Sequence, residues 1–180
     1  MWYVTILKTK TLYNYKAIYI RNGELTLKYN EIENIVEKYS DMLFRLCFIM
    51  LENRQDAEDA LQETFFRYIE KNGLFNDEKH QKAWLIKVAT NICKDMLRFR
   101  LRHPKIELTE SICNDISQES IDVLEELMVL PKNTKSVMYM HYIEGYKISE
   151  IAEILEISVS AVKKRLERGR KKLKIQMEEI

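Results

Sequence analysis

Ile148, Ile151, Ala152 and Leu155 fall at i, i+3, i+4 and i+7, which gives a short helix one apolar face. Val159, Val162 and Leu166 give a following helix its own apolar stripe, and Ser158 is placed to cap its start. The two runs are separated by a few residues only, so the segment reads as helix, tight turn, helix. From Ser158 to Lys174 there are eight Lys or Arg residues and one acid, Glu167. A helix with one buried face and a cationic remainder suits a DNA major groove, with Ser158 and Ser160 at the end that usually reaches base edges.

A chain of 180 residues holds one ordinary domain or two small ones. The formal net charge of +1 hides strong segregation. Glu107 to Glu126 carries seven acids and no Lys or Arg, the opposite of the C-terminal helix. Such asymmetry points to separate surfaces with separate partners. Gly and Pro are scarce, at four and two, which favours an all-α fold. Cys47, Cys93 and Cys113 are odd in number and widely spaced, and the three histidines are scattered. Neither a disulfide framework nor a metal site is expected, and a reducing cytoplasm is the default location. No apolar run is long enough to span a bilayer, and the N-terminus lacks the order of a signal peptide.

Along the chain, residues 1–30 stand apart. Their aromatic and β-branched residues followed by Asn22-Gly23 read literally as a hairpin. The plainer expectation is a translated leader. Gly23-Glu24 can be encoded by a purine-rich ribosome-binding stretch and Leu27 by a TTG start codon, so the native chain is expected to begin near Leu27. A first helical domain spans 31–103. In it Ile35, Val36, Tyr39, Met42, Leu43, Leu46 and Met50 form one stripe. A second helix runs from near Gln55 to Ile69, residues 74–82 form a polar loop, and a third helix covers Ala83 to about Arg100. Its inward residues are Trp84, Leu85, Val88, Ala89, Ile92, Met96 and Leu97. An acidic linker, 104–121, joins this domain to a second, 122–180. There Leu130-Pro131 breaks one helix, Val137, Met138, Met140, His141 and Ile143 form the next, and Gly145 ends it before the helix-turn-helix.

Two further faces carry possible chemistry. Asp56, Asp59, Gln62 and Glu63 share one side of a helix. An exposed acidic face that aids solubility is the plainer reading of that spacing, and a docking surface for a basic helical partner is the functional one. No His or nucleophile accompanies these carboxylates, so acid–base catalysis is not expected. The helix from Ala83 to His103 carries Lys87, Lys94, Arg98, Arg100 and Arg102, with Trp84, Phe99 and the loop residue Phe75 nearby. Cations beside aromatic rings suit single-stranded nucleic acid, although Trp84 on spacing alone reads as core.

Together these stretches resemble bacterial sigma factors of the extracytoplasmic-function type over residues 32 to 178. Asp56 to Phe65 (DAEDALQETF) resembles the acidic core-binding helix of family region 2. Ala83 to Asn91 (AWLIKVATN), with Asp95 and Arg98, resembles the promoter-melting and −10-recognition helix. Leu130-Pro131, Tyr142 to Tyr146, Glu150 to Leu155 and Val162 to Leu166 resemble region 4, which reads the −35 element. The resemblance implies that Asp56, Asp59, Gln62 and Glu63 dock on the β′ clamp helices of core RNA polymerase, and that region 4 meets the β flap. It implies that Lys87, Asn91, Lys94 and Arg98 face the −10 DNA, and that the loop from Leu74 to Lys82 holds a flipped base. Ser158, Ser160, Lys163, Lys164, Arg165 and Arg168 would meet the −35 duplex. The acidic linker would thread the polymerase cleft, where its charge repels template phosphates. The implied partners are core polymerase, promoter DNA and an anti-sigma factor. No cofactor, metal, small-molecule substrate or membrane insertion is implied, and no reaction is catalysed.

The sequence departs from the family at Glu156, at Ala161 and in the N-terminal leader, which has no family counterpart. Glu156 stands where the turn usually carries Gly, so that turn is either strained by roughly 1 kcal/mol or shaped differently. Ala161 stands where Thr is common. No region 3 domain separates the modules. The alternative is a stand-alone helix-turn-helix regulator that binds duplex DNA as a dimer, but no a/d heptad run supplies its seam. A protein-interaction adaptor leaves both basic helices unexplained.

Overall fold

The computed structural model describes residues 29–71, 75, 77–102 and 127–173, with the backbone alone for 29 and 30. The leader, the acidic linker and the helix start at Val123 and Leu124 lie outside the described residues. The chain divides into two compact units, parting near residue 115. Among the described residues there is no strand.

The first unit packs three helices against one another: α1 (Tyr29–Leu51), α2 (Arg54–Glu70) and α3 (Glu78–Arg102). From Met42 to Leu51 only Arg45 of α1 escapes burial. The expected stripe is therefore too narrow, since Phe44, Cys47, Phe48, Ile49 and Leu51 are buried as well, while Ile35 is only half-buried. Glu52, in a left-handed conformation at φ 56°, turns the chain between α1 and α2. Asn53 Oδ1 then accepts from the Asp56 N–H at 2.9 Å and caps α2.

α3 begins at Glu78, five residues before the expected start. Asp77 Oδ1 accepts from the His80 N–H at 2.7 Å, so the signal was an Asp cap inside a stretch taken for polar loop. Its inward face is also rotated from the expected one. Leu85, Ile86, Ala89, Thr90, Ile92 and Cys93 are buried, whereas Trp84, Val88, Met96 and Leu97 are only half-buried. The packing brings Cys47 and Cys93 together as buried free thiols. Their hydrogen bond, with burial second, holds the Cys93 thiol well above its ordinary pKa, so it is an unreactive core residue.

In the second unit Pro131 opens α4 (Lys132–Met138), which continues as a π-helical turn over Tyr139–Ile143. Gly145, at φ 73°, ends the turn. His141 Nδ1 lies 2.8 Å from the Tyr146 carbonyl, fixing the return of the chain. Ile143, in that turn, is exposed. The fully buried Lys135 stretches back to donate to the Met128 carbonyl at 3.3 Å.

The helix-turn-helix is α5 (Ile148–Leu155) and α6 (Val159–Leu173). Glu156 keeps the left-handed turn at φ 56° and ψ 46°. The Ile157 N–H reaches back to the Ala152 carbonyl at 3.0 Å, closing the helix end as Gly would. The strained alternative therefore holds. Glu156→Gly is expected to raise full-chain stability by about 1 kcal/mol, read as a higher urea midpoint of the second unit. An unchanged or lower midpoint would show that no strain is stored there.

Gly169 was not recognised in the sequence. A Cβ there would meet Met138 Sδ at 2.6 Å and Thr134 Cγ2 at 3.2 Å, so Gly lets α6 lie close against α4. Overpacking of this kind costs about 1–3 kcal/mol, partly offset by the better helix propensity of Ala. Gly169→Ala should therefore destabilise the second unit by about 1 kcal/mol net, read as a lower urea midpoint.

Candidate nucleic-acid interface

Three charged faces are positioned by these helices. On α2, Ala57, Ala60, Leu61, Thr64, Phe65, Tyr68 and Ile69 are buried, which turns Asp59 and Glu63 to solvent. Gln62 is half-buried. Asp59 Oδ1 accepts from Gln55 Nε2 at 3.2 Å, and Glu63 pairs with Arg67 at 2.9 Å. Both contacts are exposed i,i+4 pairs of small energetic weight, so either carboxylate can exchange its partner.

Asp56 differs from the other three. Its carboxylate pairs with Arg100 of α3, and each side chain is only 25% exposed. Arg100 Nη1 also donates to the Leu51 carbonyl at 3.1 Å. The guanidinium thus sits at the C-terminal end of α1, and Asp56 sits in the first turn of α2. Both charges complement the helix ends they occupy. This pair ties all three helices together, a role sequence spacing did not reveal.

On α3, Lys87, Asn91 and Lys94 are half-buried and Arg98 is exposed. Lys94 Nζ lies 3.4 Å from Asn91 Oδ1, and Arg98 pairs with Asp95 at 2.7 Å. Ahead of α3 Phe75 stacks on Tyr68 with centroids 5.6 Å apart and planes 3° from parallel. Trp84 tilts against Phe75 at 5.4 Å. Lys71 Nζ lies 5.1 Å from the Phe75 centroid and 5.0 Å from that of Trp84. The half-buried Trp84 therefore belongs to an aromatic and cationic cluster at the start of α3, not to the helical core. Such a surface can stack an unpaired base and neutralise its phosphate. In the first turn of α3 Glu78 pairs with Lys38 of α1 at 2.8 Å, which holds the Glu78 carboxyl below its ordinary pKa.

On α6, Val162, Leu166 and Gly169 are buried against the rest of the second unit. Ser158, Ser160, Lys163, Lys164 and Arg168 are exposed, while Arg165 is half-buried, and burial lowers its pKa. Val159, expected inside, is 44% exposed. Ser158 Oγ accepts from the Ala161 N–H at 3.1 Å, the expected cap, and lies 3.0 Å from Ser160 Oγ. Among the described residues no helix is long and apolar enough to cross a membrane, and no His, Cys, Asp and Glu cluster could hold a metal ion.

Comparison with known proteins agrees with this geometry. Residues 35–103 match the family described as Sigma-70 region 2, and residues 120–173 match Sigma-70, region 4. The ECF RNA polymerase sigma factor SigW of Bacillus subtilis is 29% identical over 168 residues, covering 82% of this chain and 89% of the relative. SigX of the same organism is 26% identical over 160 residues, covering 80% and 82%. Among solved structures, the sigma factor RpoE in complex with the anti-sigma factor NepR from Bartonella quintana aligns with a TM-score of 0.67 at 20% identity. That alignment covers 80% of this chain and 94% of RpoE. CnrH, in complex with the cytosolic domain of CnrY, aligns at 0.58 and 24% identity over 82% of this chain and 87% of CnrH. With both regions matched in order, and with relatives named as extracytoplasmic-function sigma factors, this chain belongs to the sigma-70 family and is of the extracytoplasmic-function type.

Proposed function

We propose that this chain is a sigma factor that binds core RNA polymerase in the cytoplasm, selects promoters and opens their strands, with no catalytic reaction of its own. The observation that carries the reading is the ordered occurrence of region 2 and region 4, each with a charged face turned outward. Asp59, Gln62 and Glu63 dock on the β′ clamp helices, and region 4 meets the β flap. Asp56 supports that surface from within by holding Arg100. Lys87, Asn91, Lys94 and Arg98 face the −10 element, and the Phe75–Trp84 cluster receives an unstacked base. Ser158, Ser160, Lys163, Lys164, Arg165 and Arg168 meet the −35 duplex, through phosphates and base edges. One matched solved structure, RpoE, is a sigma factor in complex with the anti-sigma factor NepR, and a similar protein is the expected regulator here. The domain bounds 31–103 and 122–180 and the linker 104–121 are proposed on the same grounds. The stand-alone regulator leaves the acidic face of α2 and the region 2 match unexplained.

The test is to mix the full chain with sigma-free core polymerase and follow co-elution on a sizing column. Wild-type protein should co-elute and Asp59→Lys should not. The substitution sits on an exposed carboxylate, so the fold tolerates it and the loss reports docking. Separate elution of the wild-type protein, with retained duplex binding, would overturn the reading in favour of the regulator.

A further inference from the structure

Glu167 is the one acid in the cationic stretch of α6, and its place on the helix is informative. At 3.6 residues per turn it lies between Lys163 and Lys171 and beside Lys164. All four residues are exposed, opposite the face on which Val162, Leu166 and Gly169 are buried. Glu167 thus sits near the middle of the surface that α6 turns away from its own unit. Three ammonium groups are within i±4 reach, yet Glu167 forms no hydrogen bond or ion pair with another described residue. Its carboxylate is not spent on neutralising its neighbours.

A carboxylate in that position is costly if the face meets only phosphates, because like charges repel and the group loses its hydration on docking. It becomes favourable if it meets a donor. In the major groove cytosine N4 offers one, and Glu or Asp is the side chain that accepts from it. Adenine N6 also donates, but the adjacent N7 acceptor repels a carboxylate. A guanine paired with that cytosine presents O6 and N7 acceptors, which suit the neighbouring Lys163 or Lys164. Two adjacent side chains of opposite charge can therefore read one G·C pair from both of its halves.

We propose that Glu167 is a specificity-determining residue that accepts a hydrogen bond from cytosine N4 in the major groove of the −35 duplex. This rests on the sigma-factor reading of α6. It adds base selection to a face whose cations supply mostly phosphate affinity.

The test uses holoenzyme assembled from core polymerase and the full chain, with a promoter library randomised across the −35 element. Bound promoters are recovered and sequenced for wild type, Glu167→Ala and Glu167→Gln. The wild-type protein should prefer cytosine at one position by about 5- to 150-fold; Glu167→Ala should lose that preference while keeping the others, and Glu167→Gln, whose amide still accepts but also donates, should weaken it and admit adenine. Thermal unfolding of the three proteins should coincide, because the residue is exposed and forms no hydrogen bond or ion pair with another described residue. Variants that bind all sequences more tightly with an unchanged preference would overturn the proposal, leaving the carboxylate as a repulsive surface charge. An adenine preference lost on substitution would overturn the cytosine assignment. Wild-type protein that recovers no promoter with polymerase, while selecting a duplex site alone, would refute the sigma-factor reading instead. Glu167 would then be judged on that duplex preference by the same criterion.

Discussion

Arg100→Ala should destabilise the first unit by about 2 kcal/mol, between the small value of an exposed ion pair and the 3–5 kcal/mol of a buried one. The estimate follows from its surroundings. Arg100 and Asp56 are each 25% exposed, so solvent screens the pair only in part. Arg100 also donates to the Leu51 carbonyl, and its removal leaves that helix end without this cation. Asp56→Ala should cost a similar amount. The double variant should cost much less than the sum, because each single change already breaks the shared contact. Urea unfolding of the four proteins closes the cycle, and additive losses would sink the assignment. The result also bears on docking. If Asp56→Ala weakens polymerase binding only as far as it loosens the fold, Asp56 shapes the proposed docking surface without touching the partner.

Much of this molecule was legible in the sequence, and the failures share a physical cause. Spacing identified the helices because apolar burial at a 3.6 period is what stabilises them. Ser158 and Glu156 were correctly marked because caps and turns are local chemistry, settled within four residues. Trp84 was misread because periodicity assigns a residue to a face but cannot tell the centre of that face from its edge. Leu85 and Ile86 took the centre, and Trp84 went to the shoulder with Phe75 and Lys71. Val159 failed in the same way at the first turn of α6, where it stays 44% exposed. The Asp56–Arg100 pair and the Gly169 contact join residues distant in sequence, and no local pattern encodes them. Charge, by contrast, was legible on α2 and α6, where Asp59, Glu63, Lys163, Lys164 and Arg168 are exposed as expected, since exposed charges need no partner to declare their face.

The displacement of Trp84 from the core leads to the other large effect. Trp84→Leu keeps apolar bulk against Tyr68 but removes the extended ring beside Phe75 and Lys71. Stacking of one base on one aromatic ring is worth about 1–3 kcal/mol, so strand opening should fall by roughly 5- to 150-fold. Closed-complex formation should change little, because duplex binding depends on phosphate contacts that the substitution leaves alone. Permanganate reactivity of unpaired thymines measures opening, and a filter-binding assay at low temperature measures closed complexes. Phe75→Leu should act in the same direction, since its ring stacks on Tyr68 and carries Lys71 over its face. Equal losses in both assays would mean that Trp84 serves the fold rather than the open strand. Loss of opening alone would place the base-receiving surface at the start of α3, where spacing alone read Trp84 as core.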